Sequence, residues 1–126
     1  MKIEYNNNQM ERTREDVSRM DKAIQNELEI IKESVLNTVP AEAIYLFGSH
    51  AYGAPNEESD LDIYVVVPES AGDLIDIGAA IRKGTRHKRT MPMDLLVGRS
   101  SVFNRRKNGP TLERIISQKG MMIYGT

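Results

Sequence analysis

The chain of 126 residues contains no cysteine and no tryptophan, and only 6% of its residues are aromatic. The absence of cysteine excludes disulfide bonds and thiolate metal sites, which makes a cytoplasmic location the default expectation. No apolar run is long enough to cross a bilayer, and the polar start has no signal-peptide character, so we expect no membrane contact. A net charge of −1 argues against a dedicated nucleic-acid-binding protein.

The composition is otherwise typical of a globular protein, with 40% hydrophobic and 28% charged residues. A chain of this length buries roughly two thirds of its unfolded surface as one unit. We therefore predict a single domain over residues 1–126. It is divided into a polar tail (1–12), an N-terminal helix (13–38) and a core (40–125).

Charges of opposite sign occupy different parts of the chain. Residues 54–76 contain seven acidic residues and no Lys or Arg, whereas residues 77–107 contain nine Lys or Arg and one acid, Asp94. An acidic half that binds cations beside a basic half suits a polyanionic ligand. The alternative interpretation is that both halves are solvated surface.

Apolar residues recur at spacings of three and four near the N-terminus, which predicts an amphipathic helix. Thr13 and Asp16 form a candidate capping box, and Pro40 ends the helix. The apolar stripe consists of Val17, Met20, Ile24, Leu28, Ile31 and Val35. The charged residues are expected mostly off this stripe, namely Lys22, Glu27, Glu29, Lys32 and Glu33.

The rest of the chain alternates between strand and helix patterns. Strands are predicted over 43–47, 61–67, 91–97 and 121–124, and a weak helix from Ser70 to Ile81. Near the end, a helix over 100–107 and 111–118 is interrupted at Gly109-Pro110, and Gly120 takes the C-terminal cap position. These patterns predict an α/β fold, with a small mixed sheet of three to four strands and helices packed mainly against one face.

A strand, a Gly-Ser turn and a helix follow one another around Gly48. Gly48 allows a sharp turn without a Cβ clash, and Ser49 is a natural first residue for a helix. Such a junction presents backbone N–H groups and a hydroxyl that bind phosphate oxygens well. Downstream, Asp60 and Asp62 alternate with Leu61 and therefore point to the same side of the next strand.

Two adjacent carboxylates repel each other unless a cation lies between them. A phosphate-binding turn beside a carboxylate pair is typical of metal-assisted phosphoryl or nucleotidyl transfer. Asp94 lies inside an apolar strand, where burial is costly unless the carboxylate has a cationic partner. On that strand Asp94 shares a face with Pro92 and Leu96, so it is a third candidate site residue.

The residues Gly48-Ser49, Ala51 and Gly53, followed by Ser59-Asp60-x-Asp62, resemble the signature of the minimal nucleotidyltransferases, in the DNA polymerase β-like superfamily. The resemblance extends over about residues 40–125. The later aspartate Asp94 and the ending from Pro110 to Tyr124 fit the same pattern. Together, at this spacing, these motifs are far more specific than a lone Gly-Ser or Asp-x-Asp.

The resemblance implies the nucleotidyltransferase fold and transfer of a nucleoside monophosphate from an NTP to an acceptor hydroxyl. Asp60, Asp62 and Asp94 would bind two Mg²⁺ ions and form the catalytic set. Asp94 would accept or orient the proton of the acceptor. Gly48 and Ser49 would hold the β and γ phosphates, and Ser59 belongs to the same nucleotide-binding motif.

Minimal nucleotidyltransferases that resemble this chain are commonly paired with small helical HEPN-domain proteins, which they neutralise as antitoxins. The resemblance therefore implies AMP transfer from ATP to a tyrosine of such a partner. One alternative is a binding antitoxin without turnover, although the complete set of three aspartates argues against it. A second alternative is an antibiotic-modifying enzyme, which normally needs a further domain to hold the drug.

Six potentially cationic side chains occur between Arg82 and Arg89. This basic segment is either a solvated loop or a source of one or two phosphate contacts. We expect His87 to be a surface residue rather than a catalytic base or a metal ligand.

Overall fold

A computed structural model describes residues 21–55 and 59–125. Its strands form a four-stranded sheet in which residues 93–99 lie at one edge, followed by 61–67, 43–47 and, at the other edge, 121–124. The helices are α1 (Lys22–Thr38), α2 (Ser49–Tyr52), α3 (Leu74–Thr85), α4 (Ser100–Arg106) and α5 (Leu112–Lys119). The strands are β1 (Ala43–Phe47), β2 (Leu61–Val67), β3 (Met93–Arg99) and β4 (Met121–Tyr124), and a 3₁₀ turn spans Glu69–Ala71.

The sheet is mixed, which confirms the predicted fold class. β1 pairs antiparallel with both β2 and β4, whereas β2 and β3 are parallel. The parallel pair is connected by α3, because parallel neighbours need a crossover element.

Helix α1 is the described part of the predicted N-terminal helix. Its N-cap is Asp21, whose carboxylate accepts the N–H of Ala23 at 2.6 Å. The predicted capping box at Thr13 and Asp16, and the polar tail, lie outside the described residues. The apolar stripe is confirmed where it is described, since Leu28, Ile31 and Val35 are fully buried.

The larger core lies on one face of the sheet, where α1 and α3 pack against each other, α3 also against β3 and α1 also against β4. Alternation along the strands sends Ile44, Leu46, Ile63 and Val65 into this core. The opposite face carries a smaller cluster that includes Phe103 of α4 and Ile116 of α5. The main helical layer is therefore on one face, as predicted, with two short helices covering part of the other.

The predicted helix start at Ser70 is wrong. Residues 69–71 form only a 3₁₀ turn, and Gly72 then adopts a φ of 102°, which interrupts the helical path. Helix α3 begins after Asp73, whose side chain accepts the N–H groups of Ile75 and Asp76 at 2.9 and 3.1 Å. The helix also extends past Ile81 to Thr85, so the first part of the basic segment is helical. The third strand likewise lies two residues later than predicted.

The topology brings three distant parts of the chain to one end of the sheet. Phe47, the last residue of β1, is the register partner of Asp62 near the start of β2. Asp62 is in turn the register partner of Asp94 near the start of β3. The Gly-Ser turn and both strand aspartates therefore meet at this end.

Candidate active site

Gly48 forms the turn between β1 and α2 with a φ of 75° and a ψ of −155°. A Cβ atom on residue 48 would collide with the carboxylate of Asp62, lying 3.0 Å from its Cγ and closer still to Oδ2. The Gly48 carbonyl accepts the N–H groups of Ala51 and Tyr52 at 3.0 and 3.1 Å. Glycine is thus needed both for the turn and for the approach of Asp62.

Ser49 opens α2, as predicted, and the helix is a single turn. The backbone N–H groups of Ser49 and His50 precede the first helical hydrogen bond, so they are the ones available to an anion here. Ser49 and His50 directly follow Gly48, the residue on which the carboxylate of Asp62 packs.

The three predicted carboxylates are close enough to influence one another. Asp62 is half-buried, whereas Asp60 and Asp94 are exposed. Burial raises the pKa of Asp62, and the negative charges of Asp94 and Asp60 raise it further. His50 opposes this effect only in part. Asp94 therefore lies near Asp60 and Asp62, the carboxylate pair that strand alternation predicts.

These carboxylates do not form a ready-made metal cage. Within residues 21–55 and 59–125, no three His, Asp or Glu side chains are gathered closely enough to hold an ion. The donor chemistry nevertheless fits Mg²⁺, which prefers carboxylate oxygens and keeps several waters. A divalent cation would also offset the repulsion that raises the pKa of Asp62.

Ser59 lies two residues before the start of β2. Its carbonyl oxygen is 3.2 Å from Nε2 of His50 on α2. Ser59 thus contacts the helix that begins at Ser49, next to Gly48. A nucleotide-binding role for these three residues stays a prediction from the family resemblance.

The basic segment divides into two groups of side chains. Arg82 donates to the Leu95 carbonyl at 3.2 Å, and Arg89 donates to the Met91 carbonyl at 2.9 Å, so both support β3. The exposed side chains of Lys83, Arg86 and Lys88 make no hydrogen bond or ion pair with any other described residue. We call Lys83, Arg86 and Lys88 the basic turn. These three side chains are the ones in the basic segment that remain available to bind a ligand.

Glu27 supports the entry to β3, although it is among the charged residues predicted to lie mostly off the apolar stripe. It is 4% exposed, and its Oε1 accepts the N–H groups of Thr90 and Met91 at 2.5 and 2.8 Å. The prediction was wrong because spacing already places Glu27 on the apolar stripe, three residues after Ile24 and four before Ile31. Lys32 is buried for the same reason, four residues after Leu28.

A buried polar network lies two residues from Asp62 on the same face of β2. The hydroxyl of Tyr64 donates to Glu113 at 3.1 Å, and Arg106 donates to Glu113 at 2.9 Å. Burial and the charge of Glu113 raise the pKa of Tyr64 well above its ordinary value. Burial alone would raise the pKa of Glu113, but its hydrogen bonds from Arg106 and Tyr64 lower it. The network fixes α4 and α5 on the face that carries the aspartates.

Comparison with known proteins identifies the family. Residues 28–121 match the family model of the nucleotidyltransferase domain, which is well over half of the chain. The chain therefore belongs to the nucleotidyltransferase domain family. No curated protein sequence matches it.

Solved structures share the fold. A candidate nucleotidyltransferase from Sulfolobus solfataricus is 23% identical, with a TM-score of 0.50 over 74% of this chain and 96% of that one. A mutant of the toxin–antitoxin complex MntA–HpeT, with two Asp-to-Glu substitutions, is 21% identical, with a TM-score of 0.56 over 79% of this chain and 73% of that one. A toxin–antitoxin structure with AMP-PNP is 19% identical, with a TM-score of 0.51 over the same shares, 79% and 73%.

None of the helices in the described ranges is both long and apolar enough to cross a membrane.

Proposed function

We propose that this member of the nucleotidyltransferase domain family transfers AMP from ATP to a hydroxyl group, namely a tyrosine of a partner protein. The observation that carries the proposal is the packing of Asp62 against the Gly48 turn, with Asp94 as its register partner. This arrangement puts a phosphate-binding turn against a carboxylate cluster whose repulsion a cation would offset. The cytoplasmic location expected from the sequence belongs to the same proposal.

Asp60 and Asp62 would hold two Mg²⁺ ions together with Asp94. When bound, Mg²⁺ supplies positive charge that lets a triphosphate lie beside carboxylates and stabilises the leaving pyrophosphate. The chain's own contribution is placement. Gly48 and Ser49 orient the β and γ phosphates through backbone N–H groups and the serine hydroxyl, and Ser59 lines the nucleotide site from the other side.

Asp94 serves the acceptor. The acceptor oxygen forms a bond to the α-phosphorus, the bond to pyrophosphate breaks, and Asp94 takes the hydroxyl proton. Asp94 is exposed, so a hydroxyl brought by another molecule can reach it. Leu96, two residues further on the same face, is 39% exposed and offers an apolar contact beside that carboxylate.

A protein acceptor fits this open strand better than an enclosed small molecule. The part of β3 beside Asp94 is exposed, and the acceptor must then bring much of its own binding surface. Two of the similar structures are toxin–antitoxin complexes, and the Asp-to-Glu substitutions in one of them are two positions apart, as Asp60 and Asp62 are. We therefore propose an antitoxin role with a small helical partner of the HEPN type.

The test is to incubate the purified protein with a small helical protein encoded beside it, if the neighbouring gene specifies one, or otherwise with a HEPN-domain protein from the same cells, together with Mg²⁺ and ATP, and to measure intact masses. The partner should gain one or more AMP units, and Asp60→Asn should abolish the gain. Tight complex formation without a mass change would contradict transfer and favour an antitoxin that acts by binding alone. If neither occurs, the proposed partner is wrong.

A further inference from the structure

His50 connects the two halves of the candidate site. It lies in α2, one residue after Ser49, and its Nε2 is 3.2 Å from the carbonyl oxygen of Ser59. A carbonyl oxygen only accepts hydrogen bonds, so Nε2 must carry the proton. The contact therefore joins the phosphate-binding turn directly to the backbone that leads into the metal-binding aspartates.

We propose that His50 is a positioning residue that holds Asp60 in place by fixing the Ser59 backbone. The inference rests on the proposed function, because Asp60 matters as a ligand only if the site binds a metal and a nucleotide. His50 touches neither Asp60 nor any reacting atom in this role.

Asp60 needs such support because it lies just outside the sheet. The first hydrogen bond from β2 to the neighbouring chain segment runs from the N–H of Leu61 to the carbonyl of Pro92, at 3.0 Å. Asp60 precedes that bond and is exposed, whereas Asp62 is half-buried within the strand. The His50–Ser59 bond holds the chain on the other side of Asp60, so this residue lies between two backbone anchors.

The position of α2 also explains how the side chain of His50 can hold the backbone of Ser59 in place. Helix α2 is tied to Gly48, whose carbonyl accepts two helical N–H groups, and Gly48 packs on Asp62. His50 is near enough to Asp62 to lower its pKa in part. The nucleotide turn, Asp60 and Asp62 thus form one unit. Partners that hydrogen-bond a metal ligand directly are often worth about 10- to 100-fold in metal affinity, and His50 acts one residue further away, so we expect an effect at the lower end of that range.

The test measures binding of Mg²⁺ with AMP-PNP by calorimetry, which needs no acceptor. His50→Leu, which keeps the bulk but loses the donor, should weaken binding on the order of 10-fold. His50→Gln should restore it to within about twofold, because its amide nitrogen can donate in place of Nε2. The melting temperatures of wild type, His50→Leu and His50→Gln without metal should agree within a few degrees. Asp60→Asn is the control that shows how weak binding becomes when the proposed metal ligand itself is lost.

An NMR measurement on the wild-type protein tests the contact without any substitution. The chain has two histidines, so the exposed His87 serves as the internal reference. The ring N–H of His50 should be protected from exchange with water and that of His87 should not. Equal exchange of the two rings would overturn the proposal even if His50→Leu failed to fold.

The outcomes separate the two claims. A wild-type protein that does not bind Mg²⁺ with AMP-PNP contradicts the proposed function and this inference with it. Wild-type binding that His50→Leu leaves unchanged, or that His50→Gln fails to restore, contradicts the inference alone.

Discussion

The carboxylate of Asp62 occupies the space in which a side chain on Gly48 would begin. The two residues come from different parts of the chain. The carboxylate of Asp62 fits against the turn only because residue 48 has no side chain. Gly72 provides a comparison, because it also has a positive φ, 102°, but a Cβ atom there would meet only open space. Substitutions at these two glycines therefore distinguish the effect of backbone strain from the effect of a collision with Asp62.

We expect Gly48→Ala to abolish binding of Mg²⁺ with ATP, since the new methyl group displaces Asp62. Gly72→Ala should leave that binding unchanged. Both variants should lose about 1–3 kcal/mol of unfolding free energy, because each forces a side chain into a backbone region that favours glycine. Denaturant unfolding and calorimetry on the two variants measure these effects. Equal nucleotide affinity in Gly48→Ala and wild type would show that Asp62 does not need this space.

The three aspartates should differ in what they contribute. Asp60→Asn and Asp62→Asn remove the two proposed metal ligands and should abolish AMP transfer together with Mg²⁺-dependent ATP binding. Asp94→Asn should reduce transfer much more than ATP binding, because its proposed task is on the acceptor side. Calorimetry with Mg²⁺ or EDTA, combined with intact-mass assays, separates the two effects. Wild-type transfer by Asp94→Asn would make Asp94 a structural residue.

The pKa of Asp62 predicts a dependence of stability on pH in the absence of metal. Burial and two neighbouring carboxylates raise its folded-state pKa above the ordinary value of about 4. The folded state then holds the proton more tightly than the unfolded state, so stability falls as pH rises through the interval between the two values. Asp62→Asn removes this loss and should melt higher than wild type at pH 7, on the order of 1–3 °C.

The difference between Asp62→Asn and wild type should disappear below the unfolded-state pKa, where both side chains are neutral. It should also shrink when Mg²⁺ is added to the wild-type protein. Melting curves at about pH 3.5 and pH 7, with and without metal, measure this. A variant that melts lower than wild type at pH 7 would contradict the sign of the effect.

The basic segment allows a matched pair of multiple substitutions. Replacing the basic turn (Lys83, Arg86 and Lys88) by Gln should leave stability within about 0.5 kcal/mol. If the basic turn contacts phosphates, the same variant should weaken ATP binding and flatten its salt dependence. Replacing Arg82 and Arg89 by Gln should instead destabilise the fold by about 1–3 kcal/mol, because both donate to β3 carbonyls or to the carbonyl just before that strand. Unfolding curves and salt titrations of ATP binding distinguish the two groups.

Much of the placement of the candidate site residues in the fold could be predicted, because these residues follow simple strand alternation. Asp94 shares a strand face with Leu96 because side chains alternate along a strand, and the Gly-Ser turn follows a buried strand in both sequence and structure. What could not be predicted depends on partners far away in sequence. Nothing local to Arg82 indicates that it would bond the carbonyl of Leu95, and nothing local to Glu27 indicates that it would bond the chain at Met91.

The misplaced helix start has a different cause. Ser70 and Asp73 are both residues that favour the N-cap position. The sequence alone therefore does not decide at which of the two the helix begins. The backbone at Gly72 decides this, because its positive φ ends the 3₁₀ turn and leaves Asp73 to cap α3.

The register that pairs Phe47 with Asp62 and Asp62 with Asp94 also bears on how the chain acquires its activity. The site is composed of segments that are distant in sequence, and one of its strand pairs is parallel, a kind of pairing that forms slowly. No fragment that lacks β3 contains all three aspartates. AMP transfer, which by the proposal needs all three aspartates, should therefore appear only when β3 has joined the sheet.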